Sequence, residues 1–70
     1  MDIEKVIGLN FANLRREKRL TQEKISELTE ISQQYLSDLE RGKRNPTIKT
    51  LQKIADALGV PLLDLMKPVD

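Results

Sequence analysis

Gln33 and Ser37 lie four residues apart, and so do Gln34 and Asp38. On a helix that spacing gathers the four side chains into one continuous polar strip. The strip is a row of hydrogen-bonding edges. A glutamine amide carries a donor and an acceptor in one plane, and adenine offers the matching pair, N6–H2 and N7, in the DNA major groove. Two adjacent glutamines near a helix N-terminus suit a helix that meets the groove with that end. Ser32, immediately before them, and the free N–H groups of a first helical turn suit a phosphate. Lys43 and Arg44, with Asn45, follow the same segment closely. In that place they suit the phosphate backbone, whose contacts supply affinity and fix orientation without reading sequence.

Taken singly, each of these side chains is ordinary solvated surface, and the combination carries the reading. Two residues keep a double role. Tyr35, the one tyrosine, either packs at the edge of a core or gives its hydroxyl to a sugar or phosphate. Asp38 repels phosphate. It either accepts from cytosine N4 or pairs with a nearby cation, and pairing is the simpler role.

Composition narrows the chemistry further. Seventy residues make one small domain of modest stability. With no cysteine and no histidine, disulfides, Cys/His zinc sites and histidine-based catalysis are excluded. No metal or cofactor is expected. Glu23 and Glu27 are carboxylates at i, i+4, but surface charge accounts for them, and there is no glycine-rich phosphate loop. An enzyme is not expected. No apolar run approaches the ~20 residues of a membrane span. The opening Met1, Asp2, Ile3, Glu4 lacks the basic and apolar regions of a signal peptide. A reducing, cytoplasmic setting without a membrane partner is the expectation.

The formal net charge of +1 hides a strong pattern. Residues 13–24 carry Arg15, Arg16, Lys18, Arg19 and Lys24 against Glu17 and Glu23. Residues 25–40 carry only the acids Glu27, Glu30, Asp38 and Glu40. Residues 41–53 carry Arg41, Lys43, Arg44, Lys49 and Lys53 with no acid. Two basic segments flank an acidic one, and the fold decides whether they share a face.

The elements that position these groups follow from the apolar spacing. Ile3, Ile7, Phe11 and Leu14 mark one face of a helix over about residues 2–18, widened by Val6, with Leu9 off the stripe. Thr21 caps a second helix, whose inward positions are Ile25 and Leu28 and which ends near Thr29. Ile31 plugs the core from the turn. Ser32 caps a third helix over residues 33–41, held inward by Leu36 and Leu39 and stopped by Gly42. After Pro46, Thr47 caps a fourth, with Ile48, Leu51, Ile54, Ala55 and Leu58 inward. Gly59 and Pro61 end it, and Leu62, Leu63, Leu65 and Met66 make one last short turn or helix. No segment alternates with strand period. The fold class is all-α, a compact bundle of four to five short helices around one core. The short link between the second and third helices makes them a helix-turn-helix over about residues 21–41.

The segments LTQEKISEL at 20–28, ISQQYLSDLERGKRNPT at 31–47 and LQKIADALGV at 51–60 resemble the XRE-type helix-turn-helix family, the phage-repressor and Cro-like DNA-binding domains. The resemblance covers about residues 7–65, and its joint pattern is specific where TQE or ERG alone is weak. It implies a transcription regulator that binds double-stranded DNA. Gln33, Gln34 and Ser37 would face base edges, with Asp38 a fourth. Gln22, at the start of the second helix, would contact a phosphate, as would Lys43, Arg44 and Asn45, with Tyr35 near the sugar-phosphate strand. Glu40 and Arg41 would be structural. Many relatives have glycine where this chain has Glu30. A left-handed residue there costs glutamate about 1 kcal/mol relative to glycine.

One such unit reads few base pairs, so a homodimer on a palindrome is expected, with half-sites about 34 Å apart. Leu62, Leu63, Leu65 and Met66 either supply its contact or only close the core, and residues 67–70 read as a tail or the start of a linker. A second functional class is an antitoxin-like or adaptor module whose main partner is a protein.

Overall fold

The computed structural model describes residues 2–69; Met1 and Asp70, the last residue of the expected tail, lie outside them. Four helices, α1 (Ile3–Glu17), α2 (Gln22–Thr29), α3 (Gln33–Glu40) and α4 (Ile48–Leu58), are followed by a 3-10 turn at Leu62–Leu65. Each start is set by a local cap. Asp2 accepts from the Lys5 N–H at 3.3 Å, and Thr21, Ser32 and Thr47 accept from Lys24, Tyr35 and Thr50 at 3.0, 3.1 and 3.2 Å. Each bond satisfies an N–H that the helix itself leaves without a partner.

Phe11, Ile25, Leu36, Leu39, Ile54 and Leu65 are fully buried, and Ile7, Leu51, Ala55 and Leu58 complete the cluster they form. Leu14, Leu20, Ile31, Leu62 and Met66 pack against it. Three residues read as inward face solvent instead: Ile3 and Ile48, each the first residue of its helix, and Leu28. In the two turns of α2 the inward positions belong to Ile25 and Thr29. The Thr29 hydroxyl can be buried because it donates to the Ile25 carbonyl at 2.7 Å and accepts from the Ile31 N–H at 3.2 Å. Ser26 closes the turn by donating to the Ile31 carbonyl. Both backbone groups of Ile31 are thus held by α2, which fixes where α3 begins.

The chain pays for this turn at Glu30, whose φ of 63° is left-handed. Glu30→Gly is expected to raise stability by about 1 kcal/mol, because glycine reaches that region without the Cβ penalty. Chemical denaturation measures it; an unchanged or lowered midpoint would mean that the glutamate side chain offsets its own strain.

Two contacts anchor α3 to α1. Gly8 lies against the C-terminal end of α3, where a Cβ would collide with the Leu39 carbonyl and sit 3.0 Å from that of Glu40. Arg15 donates to Glu40 through Nε at 2.7 Å and Nη2 at 3.3 Å, and its Nη1 donates to the Leu20 carbonyl at 2.9 Å. Asn10, also on α1, pins the 3-10 turn by donating to the Leu65 and Lys67 carbonyls at 2.9 and 2.8 Å.

Candidate nucleic-acid interface

Leu36 and Leu39 hold one side of α3 in the core, and the other side is the polar strip. Gln33 and Gln34, its first two residues, are exposed, and Ser37 and Asp38 are half-buried one turn on. Ser32 is exposed before them. Its oxygen accepts the Tyr35 N–H, which leaves the hydroxyl hydrogen free to donate.

The chain after α3 folds back on the helix. The Gly42 N–H reaches the Leu39 carbonyl at 3.0 Å and the Lys43 N–H reaches the Asp38 carbonyl at 2.9 Å. With Gly42 at φ 74°, this is a Schellman termination. Lys43, Arg44 and Asn45 leave it exposed. Arg44 returns to α3, its guanidinium carbon 4.9 Å from the centre of the Tyr35 ring and its Nη2 3.4 Å from Asp38 Oδ2. Tyr35 is therefore a half-buried platform for a cation, a use that residue spacing alone did not suggest.

Asp38 is the hub of the strip. Its Oδ1 accepts from Gln34 Nε2 and from Arg41 Nη2, both at 3.0 Å. Arg41 Nη2 also donates to Ser37 Oγ at 3.2 Å. Desolvation pushes the Asp38 carboxyl up, but the hydrogen bonds from Gln34 and Arg41 and the charges of Arg41 and Arg44 outweigh it and hold the group below its ordinary value. Asp38 is thus ionised at neutral pH and paired with cations, the simpler of its two expected roles.

Gln22 is half-buried at the first position of α2, apart from this hydrogen-bonded set. Arg15 contributes less to the basic surface than its place in the sequence suggests, because Glu40 takes its charge. The C-terminal apolar group divides. Leu65 is fully buried and has no surface left for a partner, which corrects its assignment to a dimer contact. Leu62 and Met66 pack on the core as half-buried neighbours, and Leu63 is 71% exposed. No helix among the described residues is long and apolar enough to cross a membrane.

The helix-turn-helix family HTH_3 matches residues 11–65. An uncharacterized HTH-type transcriptional regulator of Sinorhizobium fredii, y4dJ, is 57% identical over 70 residues, all of this chain and 91% of that protein. Among solved structures, the hypothetical transcription factor NHTF from Neisseria superposes with a TM-score of 0.88 at 29% identity, over 94% of this chain and 76% of that one. The restriction-modification controller protein C.Esp1396I, solved as a tetramer in complex with its natural 35 base-pair operator, superposes with a TM-score of 0.79 at 29% identity, over 93% of this chain and 96% of that one.

Proposed function

This chain belongs to the HTH_3 helix-turn-helix family, and we propose that it is a DNA-binding transcription regulator that places the N-terminal end of α3 in the major groove of double-stranded DNA. The observation that carries this is the arrangement of α3. Its exposed Gln33 and Gln34 lead, its core-facing side is held by Leu36 and Leu39, and a cation-bearing return follows at its far end. Gln33, Gln34 and Ser37 read base edges. Ser32, Lys43, Arg44, Asn45 and the start of α2 at Gln22 lie along the phosphates, with Tyr35 beside the strand. The working species is a two-fold dimer on a palindromic operator, with half-sites about 34 Å apart. The operator-bound C.Esp1396I tetramer supports an assembly of several copies, and exposed Leu63 is the apolar residue of the C-terminal turn free to join it.

The test is a titration of mixed-sequence duplex DNA by fluorescence anisotropy between about 50 and 200 mM salt. Affinity should fall steeply and linearly on logarithmic axes. Lys43→Ala and Arg44→Ala should each lower the salt slope by about one, and Lys43→Ala should weaken binding to all sequences alike. An unchanged slope would remove the substituted residue from the phosphate surface. Binding that ignores salt would count against the DNA surface as a whole.

A further inference from the structure

We propose that Asp38 is a positioning residue for base selection: it holds the Gln34 amide in one orientation, so that Gln34 accepts adenine and resists guanine. The inference rests on the DNA-binding reading above and goes beyond it by assigning the base preference of one side chain and the residue that sets it.

The geometry starts from the 3.0 Å bond between Gln34 Nε2 and Asp38 Oδ1. An ionised carboxylate only accepts hydrogen bonds, so the side of the amide facing it must be the NH2 group and not the carbonyl. Asp38 is kept in that acceptor state by two guanidinium groups, with Arg41 on Oδ1 at 3.0 Å and Arg44 on Oδ2 at 3.4 Å. Arg44 is itself steadied by the Tyr35 ring. The carboxylate thus meets a guanidinium at each oxygen while Oδ1 also accepts from Gln34.

An amide fixed in this way has spent one N–H. Its carbonyl oxygen and second N–H remain for a ligand. That pair, one acceptor and one donor, complements adenine N6–H2 and N7. Guanine presents two acceptors, O6 and N7, and sets one of them against the amide oxygen. A free glutamine avoids the conflict by turning its NH2 group alone to the base, with its two N–H groups toward O6 and N7 and its oxygen turned away. Beside Asp38 that turn would set the amide oxygen against a carboxylate. The same carboxylate makes Asp38 itself a poor neighbour for phosphate, so its value to a DNA-binding surface lies in what it orients.

The experiment compares wild type, Asp38→Ala, Asp38→Asn, Gln34→Ala and the double variant Gln34→Ala with Asp38→Ala on the operator recovered by selection, with each base pair varied singly. Wild type is expected to prefer adenine over guanine about tenfold or more at one position. Asp38→Ala should reduce that preference to within about threefold at the same position and leave the others as they were. Gln34→Ala should lose it equally, and the double variant should lose no more than either single one. Asp38→Asn can offer its own NH2 to Gln34, so it should admit guanine while keeping the side-chain shape. Preference undiminished in Asp38→Ala but lost in Gln34→Ala would overturn the positioning role alone, as would an equal relaxation at every position. A wild-type protein that prefers no base anywhere would overturn both this inference and the DNA-reading proposal.

Discussion

Replacing Arg15 with alanine is expected to destabilise the domain by about 3 kcal/mol. The Arg15 and Glu40 side chains are only 15% and 11% exposed, and two N–H groups of the one meet the two oxygens of the other. Removing the guanidinium strands a carboxylate in a mostly dry site and takes the donor from the Leu20 carbonyl. A charge left without its partner is costly even where the intact pair adds little net stability. A domain of this size is stable by roughly 3.5–10 kcal/mol, so the loss is about 30% of that total or more. Thermal unfolding should register it as a drop of about 15 °C. Glu40→Ala should cost nearly as much, and the double variant much less than the sum, because the two residues act as one unit. A loss below about 1 kcal/mol for Arg15→Ala would mean that the pair behaves as a solvated surface contact. The pair also bears on function. Glu40 is the last residue of α3, so the bond to α1 fixes the end of the helix opposite Gln33 and Gln34.

Gln33→Ala and Gln34→Ala are each expected to cost about 1–3 kcal/mol on the preferred operator and to relax base preference at the position each side chain reads. Both residues are exposed and neither supports the core, so stability should change little. That separates them from Arg15, whose loss acts through folding. A titration of each variant on the operator and on unrelated duplex DNA makes the distinction. Loss confined to the operator supports base reading; equal losses on both duplexes would reduce the glutamines to backbone contacts.

Helix positions and caps were the most legible features of the chain. Thr21, Ser32 and Thr47 are short side chains that bond their own neighbouring backbone, and Gly42 and Gly59 supply left-handed stops. These are local interactions, so residue order reveals them. The apolar stripes located the core through Phe11, Leu36, Leu39 and Ile54, but misplaced Leu28. Periodicity identifies a face of a helix without saying which side of that face meets a neighbour, and here Thr29 goes in while Leu28 goes out. The anchors of α3 were not legible because their partners are distant in sequence. Glu40 lies 25 residues from Arg15, and Gly8 matters only because α3 lies against it. Arg19 gave no signal either: it adopts a left-handed φ of 57° after α1, with the Leu20 N–H bonded back to the Arg15 carbonyl. Arginine at such a position has no compositional mark.

The polar strip was legible as a set of residues but not as a network. The i, i+4 spacing of Gln34 and Asp38 anticipates their contact. The return of Arg44 onto Tyr35 and Asp38 depends on the reversal at Gly42, which places residues from outside the helix against its side.

The measurement that tests the DNA-reading proposal most directly is selection of binding sites from random duplex DNA at near-physiological salt, with the bound species sized. Enrichment of a palindrome whose half-sites are about 10 base pairs apart, bound by two copies of the chain, is the expected result. Weak, salt-dependent binding with no enriched sequence would contradict it, and would mean that Gln33 and Gln34 do not read bases in this protein.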